Sequence, residues 1–254
     1  MIRIGRLLPG GMAIGSGQHN PLKGIAELPT EDGATEEVVV FAKQLSSRSI
    51  STEITCAVLG RCLSLPIPEP VILFDSSNAI YFGSVEVAYP SFSQYINDSS
   101  DVGVSEELAS WPLLRQAAFF DEWIAMDDRH NGNLLFNGEV FYLIDHESAI
   151  PSRLAPEQVG LDYYSNQLLQ IADFLIDRTN EVAVQQAANE GRAWAVSNRE
   201  KPLQALDATL ADSIQEKTKN QMISFLAARI EVLGDILYDY IKPKQAQMNY
   251  DAQP

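Results

Sequence analysis

Residues 127–135 read DDRHNGNLL and residues 142–147 read YLIDHE, and these two stretches decide the fold. Within the first, Asp128 is followed five positions later by Asn133. This D-x-x-x-x-N spacing places two oxygen-bearing side chains on one loop. Asp and Asn are also favoured in ordinary turns, so the spacing alone leaves a purely structural loop open. The segment that follows the loop favours a functional loop over a purely structural one.

That segment is predicted to be a β-hairpin. Leu134–Asn137 and Val140–Ile144 are largely apolar and flank Asn137-Gly138, a dipeptide typical of tight hairpin turns. The returning strand ends at Asp145, so the hairpin brings this carboxylate back to the loop. Phosphoryl transfer needs such a set, because it uses a carboxylate near the attacking hydroxyl and oxygen ligands for Mg²⁺.

The two stretches resemble the catalytic and metal-binding loops of the HipA-like kinases, and also the DRHxxN…IDF segment of phosphatidylinositol 3- and 4-kinases. The resemblance implies ATP and Mg²⁺ as cofactors, with Asp128 as the catalytic base and Asn133 and Asp145 as Mg²⁺ ligands. It also implies that His130 positions the hydroxyl or relays its proton. The alternative for His130 is a surface histidine that bonds nearby backbone.

An upstream strand and helix extend the resemblance. Val38–Lys43 predicts a strand that ends in a lysine, and Glu53 begins a predicted helix, Thr52–Leu63. Kinases hold the α- and β-phosphates with a strand lysine, which an acid on the next helix orients. HipA-like proteins have a comparable lysine and glutamate, followed by a stretch similar to LSLPIPEP at 63–70. The alternatives are a solvated lysine and a first-turn acid favoured by the helix dipole.

A glycine-rich segment precedes the lysine strand and includes Gly15, Ser16 and Gly17. Glycines let backbone N–H groups approach phosphate oxygens closely. The segment is therefore predicted to cover the phosphates of ATP, with a flexible turn as the alternative. Adenine is expected near residues 85–88, where the β-rich part of the chain ends.

The order of the predicted elements indicates an α+β fold with a bilobal, protein-kinase-like arrangement in one domain. Residues 1–90 are predicted to form a β-rich lobe with one helix, 91–241 a helical lobe that carries both loops, and 242–254 a polar tail. The other predicted elements are strands at Val71–Phe74, Ala79–Phe82 and Val85–Ala88, a helix from Trp111 to about Met126 capped by Ser110, and helices with apolar stripes at 168–175 and 222–240.

Two features depart from ordinary kinases. Asp145-His146-Glu147 stands where many kinases have Asp-Phe-Gly or Asp-x-Gly. Losing the glycine restricts the backbone after the metal ligand, and makes Glu147 a candidate contact for metal or substrate. Pro151 and Pro156 follow closely. The chain is therefore predicted to lack a long activation segment and its control by phosphorylation.

Composition restricts the partners and the compartment. The net charge is −16, from 34 acidic and 18 basic residues, so direct binding of nucleic acid is not expected. The sequence has no run of about 20 apolar residues, the length that a membrane span needs. Cys56 and Cys62 lie six positions apart on a predicted helix and are predicted to be reduced, which favours the cytoplasm.

The sequence therefore predicts an ATP- and Mg²⁺-dependent kinase. The resemblance implies a protein Ser/Thr hydroxyl as acceptor, and an antitoxin or regulatory protein as a further partner. Two alternatives stay open. The first is a nucleotide-binding pseudokinase that acts through a partner, which the altered Asp145-His146-Glu147 favours. The second is a kinase that acts on a lipid or small-molecule hydroxyl.

Overall fold

A computed structural model describes residues 2–14, 19–95, 101–159, 165–210 and 213–242. The fold is mixed α+β, with a six-stranded sheet first and most of the helices after it. None of the helices in these ranges is both long and apolar enough to cross a membrane.

A ring of paired strands forms the N-terminal part. The large sheet contains β1 (Arg3–Leu7), β2 (Met12–Ala13), β3 (Leu22–Pro29), β4 (Thr35–Lys43), β5 (Pro70–Phe74) and β6 (Ile80–Val85). Its order is β1-β5-β6-β4-β3-β2, with β1 and β5 parallel and the other neighbours antiparallel. Arg6 and Leu7 of β1 also pair with β3. Because of that extra pairing, β1, β5, β6, β4 and β3 close on themselves and protect their edges.

The strands predicted at Ala79–Phe82 and Val85–Ala88 are a single strand, β6, which ends before residues 86–88. The prediction was wrong because it treated Gly83 as a break. A Cβ at Gly83 would lie 2.7 Å from Leu73 Cδ1 and 2.8 Å from Val71 Cγ2. This glycine therefore makes room for the apolar interior of the ring, and the strand passes through it without turning.

Gly5 of β1 provides a stability test of the ring. A Cβ at Gly5 would lie 2.1 Å from the backbone oxygen of Glu27 and 2.5 Å from Leu28 Cδ2. The Gly5→Ala variant is therefore expected to lose about 3 kcal/mol of unfolding free energy in urea denaturation, because paired backbone cannot move aside. Gly11→Ala is the control, since its Cβ would meet nothing closer than 3.6 Å. Equal stability of the two variants would contradict the close approach of β1 and β3.

The rest of the chain is mostly helical. The helices are α1 (Ser47–Cys62), α2 (Phe92–Tyr95), α3 (Asp101–Ser110), α4 (Leu114–Trp123), α5 (Gln167–Phe174), α6 (Glu181–Ser197), α7 (Lys201–Leu210) and α8 (Glu216–Ile241), and a short hairpin of β7 (Leu134–Phe136) and β8 (Phe141–Leu143) lies between α4 and α5. The predicted stripes at 168–175 and 222–240 fall on α5 and α8, which confirms both helices.

The helix predicted to start at Trp111 with Ser110 as its cap begins later. Ser110 instead ends α3, and its hydroxyl donates to the carbonyl of Glu107 (2.8 Å). The intervening Pro112 disfavours helical backbone at the residue before it, so α4 starts only after the proline.

Helix α1 joins the sheet to the helical part. Ser46 Oγ accepts a hydrogen bond from the N–H of Ser49 (3.1 Å), and this cap starts the helix five residues before the predicted Thr52. Residues 50–60 are all buried, because α1 packs on β5 and β6 and also on α7 and α8. One continuous apolar core therefore includes residues from both parts of the chain.

Candidate active site

The loop of residues 127–133 is held together by its own polar groups. Asn133 donates from Nδ2 to the backbone carbonyl of Asp128 (2.6 Å), and its N–H donates to the carbonyl of His130 (2.9 Å). The five-residue spacing thus closes the loop through an amide. The Asp128 carboxylate takes no part in this closure, and its side chain is 59% exposed.

Arg129 anchors this loop from within the core. Its guanidinium, fully buried, donates from Nε and Nη2 to the two carboxylate oxygens of Asp121 on α4 (2.9 and 3.0 Å). Its Nη1 donates to the carbonyls of Asn133 (3.1 Å) and Ile144 (2.6 Å). One side chain therefore fixes the loop, the end of the hairpin and α4 together. Nothing in the sequence around Arg129 indicates this role.

The predicted hairpin is confirmed. β7 and β8 pair antiparallel, and Asn137 Oδ1 accepts from the N–H groups of Glu139 (2.9 Å) and Val140 (2.7 Å). Gly138 has a φ of 95°, which glycine adopts without strain. This turn directs the chain back, so that Asp145 lies beside the loop as predicted from the order of residues.

Asp145 contacts Lys43 of the large sheet. Lys43 ends β4, and its Nζ lies 2.7 Å from Asp145 Oδ1. Burial raises the pKa of Asp145, but the positive charge of Lys43 outweighs it, so the pKa is lowered. Asp145 has a φ of 61°, a left-handed conformation that is strained for a residue other than glycine.

Glu53 does not pair with Lys43, contrary to the orienting contact that the sequence predicted. Glu53 is 1% exposed, and its Oε2 accepts the backbone N–H of His146 (2.9 Å). Lys43 instead contacts Asp145. Burial, and then the charge of Asp145, raise the pKa of Glu53 to about 7. Glu53 lies in the buried stretch 50–60 of α1, where the backbone N–H of His146 is its hydrogen-bond donor.

Glu147 completes a cluster of acids. One carboxylate oxygen from each of Glu53, Asp145 and Glu147 lies within 4.8 Å of the others. Glu147 Oε1 is 3.0 Å from His19 Nε2, although 128 residues separate the two. Burial, and then Asp145, raise the pKa of Glu147. Three carboxylates at this separation are suited to a hard cation such as Mg²⁺.

His146 is buried between these acids. Burial lowers the pKa of His146 to about 3, so its ring is neutral in the folded protein at pH 7. Its Nδ1 lies 3.5 Å from Glu53 Oε2, and its Nε2 finds no hydrogen-bond partner among the described residues.

This histidine predicts a pH dependence of stability. Its pKa is depressed in the fold from 6.5, so its contribution is complete above pH 6.5 and is lost as pH falls toward about 3. Between pH 6.5 and 5, wild type should lose roughly 2 kcal/mol more unfolding free energy than His146→Gln, which does not titrate. Urea denaturation at each pH measures this difference. Parallel pH curves for the two proteins would contradict it.

His130 bonds the local backbone. Its Nδ1 accepts a hydrogen bond from the N–H of Gly132 (2.9 Å). This contact agrees with the alternative interpretation of His130 as a surface histidine that bonds nearby backbone. Its Nε2 lies 3.8 Å from Asp128 Oδ1, beyond hydrogen-bond distance. The predicted relay through His130 therefore stays a prediction.

A cleft of about 570 Å³, a size typical of small-molecule sites, opens beside this cluster, and neither Asp128 nor Glu147 is among the residues that line it. The predicted residues on its wall are Lys43, Glu53, His130, Asn133 and Asp145. Its apolar wall includes Ala57, Ile67, Phe82, Val87, Leu135 and Leu143. The cleft thus combines an apolar surface with a charged group of residues. Val85, Val87 and Ala88, where adenine was expected, also line it.

The residues that flank positions 15–18 lie at the cleft. Ile14 and Pro21 line it, and the N–H of Ile14 donates to the carbonyl of Pro21 (2.8 Å). The predicted phosphate-binding residues Gly15, Ser16 and Gly17 lie outside the described residues.

Comparison with known proteins identifies the fold. No protein-family model and no curated sequence matches the chain. The crystal structure of a Helicobacter pylori proinflammatory kinase, CtkA, matches with a TM-score of 0.57 and 12% identity, over 92% of this chain and 95% of that one. The N-terminal 618-residue fragment of LepB from Legionella pneumophila matches with a TM-score of 0.47 and 16% identity, over 85% of this chain and 46% of the fragment. The chain therefore has a kinase-like fold.

Proposed function

We propose that the chain is an ATP- and Mg²⁺-dependent phosphotransferase of the HipA-like type, which transfers the γ-phosphoryl group of ATP to a hydroxyl. The observation that carries the proposal is that Lys43, Asn133 and Asp145 line one cleft. These three residues come from β4, the catalytic loop and the end of the hairpin. A kinase-like fold supports this assignment.

Each residue has a distinct part in the proposed reaction. Asn133 and Asp145 would hold Mg²⁺, which neutralises the charge of the phosphates when it is bound. Lys43 would bind the α- and β-phosphates. Asp128 would accept the proton of the attacking hydroxyl, and its 59% exposed side chain is open to an acceptor. The apolar wall of the cleft would receive the adenine.

We assign a protein Ser/Thr hydroxyl as the acceptor, on the resemblance of the two loops to HipA-like kinases. An antitoxin or regulatory protein would be a further partner. A lipid or small-molecule hydroxyl remains the alternative acceptor. A pseudokinase is the second candidate function, and Glu147 favours it, because this glutamate restricts the backbone where many kinases have glycine.

Transfer of a labelled γ-phosphoryl group tests the proposal. The protein is incubated with Mg²⁺ and radiolabelled ATP, alone and with a Ser/Thr-rich protein, a phosphoinositide or a small alcohol. Label on the chain itself or on the protein acceptor is expected, and EDTA should abolish it. Tight Mg·ATP binding without transfer to any acceptor or to water would contradict the enzyme and support the pseudokinase. Absence of nucleotide binding would contradict both.

The Asp145→Asn variant tests the metal assignment. Removing the charge of this ligand should weaken Mg²⁺-dependent nucleotide binding by about tenfold or more. Titration with a fluorescent ATP analogue, with and without Mg²⁺, measures the effect. Asp127→Asn, an exposed acid in the preceding loop, is the control. Unchanged Mg²⁺ dependence in Asp145→Asn would exclude Asp145 as a ligand.

A further inference from the structure

The acids near Lys43 outnumber the positive charges that contact them. Glu53, Asp145 and Glu147 place one carboxylate oxygen each within 4.8 Å of the others. Among the described residues that contact the three acids, Lys43 carries the one fixed positive charge, and it lies against Asp145. The other ionisable contacts are imidazoles. With all three acids ionised, the carboxylates and the lysine carry a net charge of about −2, which one divalent cation would neutralise.

Two of these carboxylates also have unused oxygens. With the acids charged, no N–H or O–H of a described residue donates to Glu53 Oε1 or Glu147 Oε2, and both atoms are buried. Glu53 as a whole is 1% exposed. The Lys43 contact with Asp145 Oδ1 is close, but its direction leaves that oxygen without an aligned hydrogen bond. A buried carboxylate oxygen that lacks a partner is costly, so the cluster is suited to a ligand that accepts electron pairs.

We propose that Glu53, Asp145 and Glu147 form a binding site for a hard divalent cation, Mg²⁺ or Mn²⁺, that fills without nucleotide. This inference deepens the proposed function and rests on it, since Asp145 belongs to both. Oxygen ligands lie about 2.0–2.1 Å from Mg²⁺, so two on opposite sides are about 4.0–4.2 Å apart and two adjacent ones about 3 Å apart. Three carboxylate oxygens that already lie within 4.8 Å of one another reach these separations by small shifts of their side chains. An all-carboxylate set favours these metals over soft ones.

The site also accounts for the contact between Lys43 and Asp145. A cation on Asp145 replaces the positive charge that Lys43 now supplies. Lys43 is then free to turn toward the phosphates of a nucleotide in the cleft that it lines. Glu147 replaces the usual glycine of the Asp-x-Gly motif with a third ligand, and Glu53 acts on the metal instead of on the lysine.

Binding of Mn²⁺ in the absence of nucleotide tests the site. The electron paramagnetic resonance signal of free Mn²⁺ falls as the ion binds to the full chain, and Mg²⁺ is added as competitor. One Mn²⁺ per chain is expected. Glu147→Gln should weaken its binding by about tenfold or more. The control is Glu139→Gln, the same change at an exposed turn residue, which should bind as wild type does. Circular dichroism verifies that each variant is folded.

A proton shared by Glu53 and Asp145 is the competing explanation, because the two carboxyl groups lie within hydrogen-bond reach. If that explanation holds, wild type takes up no Mn²⁺ and the inference is overturned. Binding that persists unchanged in Glu147→Gln also overturns it. A chain that transfers phosphate with Mg·ATP but takes up no Mn²⁺ alone disproves this inference and leaves the proposed function intact. If the chain takes up Mn²⁺ in a way that depends on Glu147 but transfers no phosphate, this inference is supported and the proposed function is contradicted.

Discussion

Replacing Asp128 with asparagine is expected to slow phosphoryl transfer by about 10²–10⁴-fold and to change Mg·ATP affinity by no more than about twofold. The variant removes the proposed proton acceptor and keeps the shape of the side chain. Its effect on the fold should be small, because the loop is closed through the backbone carbonyl of Asp128 and the amide of Asn133. Single-turnover transfer and equilibrium binding measure the two quantities separately.

Asp127→Asn is the matched control, since Asp127 precedes Asp128 in the same loop and is also exposed. It should transfer at close to the wild-type rate. An Asp128→Asn variant as fast as Asp127→Asn would show that the base is another group. If both variants lose the same amount of transfer rate, the rate depends on negative charge near the loop and not on a base at position 128.

The local parts of the site could be predicted because local chemistry determines them. The hairpin follows from Asn137-Gly138 between apolar strands, and the loop from the spacing of Asp128 and Asn133. Lys43 was identified because it ends a strongly apolar strand. In each case the residues that determine the geometry lie within a few positions of one another.

Contacts between distant segments could not be predicted in this way. β1 reads Arg-Ile-Gly-Arg-Leu, which has no regular alternation of polar and apolar residues, and nothing in these five residues indicates that it pairs with β5 and β3. The contact of His19 with Glu147 spans 128 residues. The burial of Glu53 has no local signal, because a cap at Ser46 and the packing of α7 and α8 against α1 determine it. Its partner, the N–H of His146, lies 93 residues away.

Arg129 shows why composition alone misleads in a polar loop. Its neighbours are exposed, so the sequence indicates a solvated arginine, yet its side chain is fully buried. Its carboxylate partner, Asp121, lies eight residues earlier on α4. The pair joins the loop of residues 127–133 to the core, so replacing it tests the architecture of the candidate site most stringently.

The Arg129→Met variant is expected to lose about 3–5 kcal/mol of unfolding free energy, because it leaves the charge of Asp121 buried without a partner. It also removes the donor to the carbonyls of Asn133 and Ile144. Urea denaturation at pH 7 measures the loss. Arg115→Gln is the control: this arginine pairs with Glu190 at the surface, where removing one partner costs about 1 kcal/mol or less.

The double variant Arg129→Met/Asp121→Leu distinguishes two effects of losing Arg129: the unpaired buried charge of Asp121, and the loss of the hydrogen bonds to the carbonyls of Asn133 and Ile144. With the carboxylate gone, the buried charge no longer opposes folding, so the double variant should be more stable than Arg129→Met alone. The two carbonyls would still lack their donor, so Mg·ATP affinity should stay below wild type even where stability recovers. If Arg129→Met costs no more than Arg115→Gln, the buried pair does not hold the loop. If the double variant recovers full affinity, the guanidinium contributes stability to the fold and does not position Asn133 and Asp145.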